Sequence, residues 1–218
     1  MSIRSSISKT VTALLVAGAA LLSVSKTEAV TFDYSSTVSN FITFAGDTTF
    51  SFTAAPDTFK VTSGSASGFF GDITGTFTMG AVTTSGSLST ASVSGTGSLS
   101  ITDSHGFTLN ATLTWADIQQ IGTGSSLNVN GAVNLTGITY GGTNSDLVSL
   151  AKSGSAVDVL SFQFNPTVTL ASLKGSSNQT SFSGTIAAAP DGGATICLLG
   201  LGLLAIGTIG RKIKSVTA

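Results

Sequence analysis

From Val30 onward, apolar and polar residues alternate with a period of two. Phe107, Leu109, Ala111, Leu113 and Trp115 alternate with Thr108, Asn110, Thr112 and Thr114, the pattern of a strand with one face on a core and the other toward solvent. Leu127, Val129, Gly131, Val133 and Leu135 alternate in the same way with Asn128, Asn130, Ala132 and Asn134. Ile73, Gly75, Phe77 and Met79 form a third row, and Val93, Gly95, Gly97, Leu99 and Ile101 a fourth. Shorter strands are predicted at Thr31–Tyr34, Phe41–Phe44, Thr49–Thr53, Thr58–Thr62, Val159–Phe164, Thr167–Leu170 and Ser181–Ile186.

Turn chemistry separates these rows. Asp103-Ser104-His105-Gly106 joins two strong strands as a hairpin loop, with Gly106 free to take positive φ. Leu135 and Ile138 are out of register for one face, which predicts a bulge at Thr136-Gly137. Two stretches read as short helices, Asp117–Gln120 and Ser145–Lys152, the second opened by capping residues and closed before Gly154. Many short strands without a long helix predict an all-β fold. An antiparallel, jelly-roll-like sandwich is the first expectation, an open or flattened barrel the second and a β-helix the third.

Composition refines this picture. Ser and Thr together make up 67 of 218 residues, whereas charged residues are only 9%. At 41% hydrophobic residues the chain is not disordered by composition. Between Val30 and Ala189, eight aspartates face three lysines, a net charge of −5, so nucleic-acid binding through a basic surface is not expected. The one cysteine is Cys197, so residues 30–188 must be stabilised without a disulfide.

The ends read as addresses. Arg4 and Lys9 precede an apolar run from Val11 to Val24, and Thr27-Glu28-Ala29 offers a small residue for cleavage after Ala29. Residues 1–29 therefore read as a secretory signal peptide that passes through the secretion translocon. Near the other end, Pro190-Asp191-Gly192-Gly193 is followed by the uncharged residues 194–210 and then by Arg211, Lys212 and Lys214. As a helix, 194–210 would span about 25 Å, with the cations as its cytoplasmic stop.

This tail, residues 189–215, resembles the sorting signal of PEP-CTERM proteins in its Val-Pro-Asp-Gly-Gly-type variant. Pro-Glu-Pro itself is absent, and Ala189 stands where that variant has Val. The resemblance implies processing at Pro190–Gly193 by an exosortase-type membrane peptidase. It also implies transient residence in the inner membrane, and delivery to the surface or matrix of a cell that makes exopolysaccharide.

Residues 30–188 carry no strong catalytic motif. His105 is the only histidine and falls in the predicted hairpin loop. No Gly-x-Ser-x-Gly elbow precedes a helix. Asp72, Asp103, Asp146 and Asp158 offer oxygen ligands for calcium only loosely, without an Asp-x-Asp-x-Asp-Gly loop. Trp115, Tyr34 and Tyr140 are candidates for stacking on sugars, but Trp115 falls on the apolar side of its strand. Asn110, Asn134 and Asn178 lie in glycosylation-type sequons. The expectation is a non-enzymatic exported structural or adhesion protein associated with exopolysaccharide, with no cofactor and no metal. The alternatives are a carbohydrate-binding module or, with two aspartates across a cleft, a hydrolase on a jelly-roll scaffold.

Intact mass of the protein recovered from producing cells and medium tests the ends. Termini at Val30 and within Pro190–Thr195 are expected. A full-length C-terminus in the membrane fraction would make the tail a permanent anchor.

Overall fold

The computed structural model describes residues 30–121 and 128–188. The expected signal peptide with Ala29, the motif Pro190–Gly193, the expected transmembrane helix 194–210 and the cations Arg211, Lys212 and Lys214 lie outside the described residues. Among the described residues, no helix is long and apolar enough to cross a membrane.

The chain enters through β1 (Thr31–Ser36), β2 (Ile42–Phe44), β3 (Thr49–Phe52) and β4 (Phe59–Val61). A long bent hairpin follows. Its first arm is β5 (Phe70–Thr74) and β6 (Thr76–Ser85), and its second is β7 (Leu88–Ser94) and β8 (Thr96–Thr102). Next come β9 (Thr108–Ile121), β10 (Asn128–Thr139), helix α1 (Ser145–Ser153) and β11 (Ser155–Phe162). One helical turn, α2 (Leu170–Leu173), leads to β12 (Asn178–Thr180) and β13 (Phe182–Ala188).

The expected sandwich is corrected to a closed antiparallel barrel. Eight strands form a ring in the order β10-β11-β13-β1-β4-β5-β8-β9, and β9 pairs back onto β10. A sandwich leaves each sheet with two edges; here both edges of β9 and of β10 are hydrogen-bonded, so the ring has none. The 14 residues of β9 make this possible. Their first half pairs with β8 and their second half with β7 on one edge, while β10 runs along the other.

Two glycines bend the long hairpin. Gly75 and Gly95 have φ of +128° and +121°, a region that only glycine enters readily. Register across the hairpin is the same on both sides of the bend, Thr74 opposite Ser98 and Thr78 opposite Ser94. Only the outer partner changes. Before the bend Gly71 faces Phe59 of β4, and after it Phe77 faces Phe50 of β3. The expected single strand over Ile73–Met79 is thus two strands joined at a bend. A branch β7-β6-β3-β2-β12 leaves the ring there.

Phenylalanines fasten the branch to the ring. Phe50 lies 5.1 Å from Trp115, and Phe44 lies 5.7 Å from Phe162. Phe52 meets Phe182 edge-on at 5.1 Å, a favoured aromatic geometry. Inside the ring, Phe32, Ile73, Leu99, Ile101, Leu109 and Leu113 are fully buried, as expected of an eight-stranded barrel filled by its own side chains. Large rings need space opposite them. Trp115 lies over Gly131 and Tyr34 over Gly184, where a Cβ would overlap the ring.

Two local expectations are also corrected. Asp117–Gln120 is strand, the continuation of β9. A bulge at Ala116, opposite the step from Ala132 to Val133, resets the alternation there. Residues Thr167–Leu170 are not strand: Thr169 caps α2, its Oγ1 accepting from the Ser172 amide at 3.1 Å. By contrast, α1 spans the expected stretch, capped by Asn144 and ended by Gly154 at φ +68°, and a register shift between Thr136 and Thr139 marks the expected bulge.

Val is a better strand former than Gly, yet Gly184→Val should destabilise by at least about 2 kcal/mol, because the Tyr34 ring occupies the space of its side chain. Gly141→Ala, in open space, should change stability by less than about 0.5 kcal/mol. Denaturant titration measures both; equal effects would contradict this packing.

Candidate functional site

Polar side chains gather in the barrel interior, at the loop end around Asp103, and on the outer surface with a groove at its rim.

In the interior, Tyr34 of β1 and Asp158 of β11 flank β13. Gly184 of β13 stands opposite both Tyr34 and Leu160, so the Tyr34 ring crosses above a residue without a side chain and reaches Asp158. Its hydroxyl donates to Asp158 Oδ2 at 2.8 Å. Tyr34 is 1% exposed and Asp158 0%. Asp158 Oδ1 has no hydrogen-bond partner, nor has Trp115 Nε1, and a buried polar atom left so costs about 1–3 kcal/mol. Burial pushes the Asp158 carboxyl up to about 7, against the opposing pull of the Tyr34 hydrogen bond. The Tyr34 phenol is raised by burial, and further by the neighbouring carboxylate.

Asp103 organises the loop end. Its Oδ2 accepts from the Tyr140 hydroxyl at 2.5 Å, and its Oδ1 from the amides of His105 and Phe107 at 2.8 and 3.0 Å. The Tyr140 bond is the main reason that the Asp103 carboxyl lies below the usual range. His105 is exposed, with its ring 3.4 Å from the Ser104 hydroxyl. These bonds fasten the hairpin loop, and the Ser104–His105 contact lies exposed on its tip.

The other candidates from the sequence are held apart. Asp72 accepts from the Thr58 amide at 3.0 Å, and Asp146 from the Ser65 amide at 2.5 Å. Among the described residues, no three His, Cys, Asp or Glu side chains converge to hold a metal. Trp115 is 5% exposed and sits in the aromatic core, and with Tyr34 inside the ring neither is a stacking platform. Asn110 and Asn134 face outward.

Hydroxyls line one row of the outer surface in register. Thr74, Ser98, Thr112, Thr136 and Ser155 stand directly opposite one another across five consecutive ring strands. The first four are exposed, and Thr74 and Ser98 are in mutual hydrogen bond at 2.7 Å. Flanking rows are similar: Ser100 faces Asn110, and Thr96, Thr114 and Asn134 are in line. Exposed Val157 and Val159 of β11 interrupt the polar face beside these rows.

At the rim, a groove of about 780 Å³ opens between the ends of β1, β11 and β13. Ser35, Ser183 and Ser161 stand opposite one another across these strands. Gln163, Asn165 and Ser181 extend the polar lining, Phe162, Phe164 and Phe182 supply its apolar part, and no ionisable side chain lines it. Alternation alone could have placed the three serines on one outward face, but not opposite one another.

No family model, curated protein or solved structure matches this chain.

Because Asp158 holds its proton more tightly when folded, the protein should be most stable in mild acid. The contribution is full below the unfolded value of 3.8 and is lost as pH rises through about 7. It amounts to about 4 kcal/mol in all, at about 1.4 kcal/mol per pH unit. Melting curves from pH 4 to 8 should show this decline, and Asp158→Asn should flatten it. An unchanged slope in the variant would locate the effect elsewhere.

Proposed function

We propose that this chain is a non-enzymatic, exported surface or matrix protein whose barrel associates with exopolysaccharide. The observation that carries the reading is the row Thr74–Ser98–Thr112–Thr136–Ser155, five hydroxyl side chains in register across the ring. Sugar polymers present hydroxyls at every residue, and a surface of Ser, Thr and Asn offers both donors and acceptors to them. A low charge density spares a neutral polymer the cost of displacing tightly bound water from ions.

Curvature narrows the partner. Five of eight strands in a closed ring wrap around more than half of it, so the row is convex. A flat crystalline surface would touch only two or three strands at once, whereas a flexible hydrated chain can follow the curve. The PEP-CTERM-like tail supports the same destination: it would bring the barrel to the outside of a cell that makes such polymers. An exosortase-type peptidase acting at Pro190–Gly193 is the partner that this reading requires before release.

Co-sedimentation of the protein with exopolysaccharide from the producing cells tests the proposal. The wild-type protein should pellet with the polymer, and Thr112→Val/Thr136→Val, which removes two hydroxyls but keeps the branched shape, should retain several-fold less. The melting temperature should barely move, because both positions are exposed. Protein that stays in the supernatant, or polymer that is shortened on incubation, would contradict the proposal.

A further inference from the structure

We infer that the groove between the ends of β1, β11 and β13 is a discrete site for a short stretch of neutral glycan. This inference rests on the exopolysaccharide reading and adds to it a defined place and a ligand class. Three observations carry it.

The first is chemical composition. All the polar side chains in the lining are hydroxyls or carboxamides, namely the serines together with Gln163 and Asn165. Hydroxyls and amides each donate and accept, which matches the hydroxyls of a sugar. A cation such as Arg is the usual partner of a phosphate, sulfate or uronate, and no lysine or arginine lines the groove. Asp33, two residues before Ser35, and Lys60, opposite Ser35 on β4, lie outside the lining.

The second is the apolar part. Phe162, Phe164 and Phe182 are among the residues that line the groove, and all three are buried. They are held by contact with one another and with the branch, Phe162 meeting Phe164 at 6.0 Å and Phe182 meeting Phe52 at 5.1 Å. Sugars pair an apolar C–H face with a rim of hydroxyls, and a groove with a fixed apolar part and a polar rim is complementary to both.

The third is preorganisation. The rim does not rely on a free loop. Ser36 Oγ accepts from the Phe182 amide at 3.2 Å, tying β1 to the start of β13. The Thr180 hydroxyl donates to the Gln163 carbonyl, tying the segment before β13 to the segment after β11. A volume of about 780 Å³ falls within the range of small-molecule sites and holds a few sugar rings rather than a folded protein surface. Binding to a rigid site avoids the ordering cost of a mobile one.

Two measurements on the same protein separate this inference from the reading beneath it. Chemical-shift titration with neutral gluco-, galacto- and manno-oligosaccharides of increasing length locates the groove ligand, and co-sedimentation with exopolysaccharide reports the general association. At least one neutral series is expected to shift Gln163 and Ser183 amides saturably, with affinity rising over the first few sugar units and then levelling. Ser183→Trp, an outward substitution that fills the groove, should weaken this binding at least tenfold. Gln163→Ala and Asn165→Ala should weaken it several-fold, whereas Thr112→Val/Thr136→Val should leave it unchanged. If polymer association persists but no neutral oligosaccharide perturbs the groove, the groove inference is overturned and the exopolysaccharide reading stands. If neither is seen, both fall. Preference for an anionic oligosaccharide, or for an extended peptide added as a competitor, would overturn the assignment to neutral glycan.

Discussion

Every strand of the ring depends on the pairing of β9 with β10. Without it the same strands would form an open sheet with two long, unpaired edges, each a template for association with other chains. The pairing requires one strand to serve two neighbours along one edge, and β9 does so because its 14 residues pass both β8 and β7. The bends at Gly75 and Gly95 belong to the same solution. They let the hairpin keep its register while its outer partner changes from β4 to β3, so the ring closes and the branch departs from one place.

Closure sets the chemistry of both faces. An eight-stranded ring has an interior that side chains just fill, so a large residue on one strand needs a small one on the next. Tyr34 above Gly184 meets that need, and the open path above Gly184 places the phenol against Asp158. The pair stays in the interior at a cost: one carboxylate oxygen is unpartnered, and the carboxyl is shifted up to about 7. Outside, closure brings the hydroxyl rows of successive strands into register around a convex surface, and brings three serines together where β1, β13 and β11 end. Neither the row nor the groove belongs to one segment; both are products of strand order.

The alternation of apolar and polar residues made most strands legible in the sequence, along with α1 and the bulge at Thr136-Gly137. Strand order was not legible, because the same inward row satisfies a sandwich and a barrel alike. The difference lies in a hydrogen-bonded partner, not in side-chain periodicity. Asp117–Gln120 does not continue the alternation of the residues before it, because the bulge at Ala116 shifts it by one position and leaves Trp115 and Ile118 on one side. Gly75 and Gly95 looked like gaps in an apolar row, since nothing in the alternation separates a small inward residue from a bend. Asp158 shares the parity of Ala156, Leu160 and Phe162, which could have marked it as inward. The partner that explains it, Tyr34, lies 124 residues earlier. The two ends of the chain were read by their layout of charge, apolar run and small residues, a signal independent of any fold.

Barrel closure is tested most directly by nuclear Overhauser contacts along β10 in the isotope-labelled protein. Leu135 stands opposite Leu113 of β9 and opposite Ala156 of β11. A closed ring predicts cross-strand backbone contacts from Leu135 to both residues in the same sample, with slow amide exchange along both edges of β10. Contacts to only one of the two, with fast exchange along the other edge, would show an open sheet and contradict the closed ring on which the outer hydroxyl rows and the groove depend.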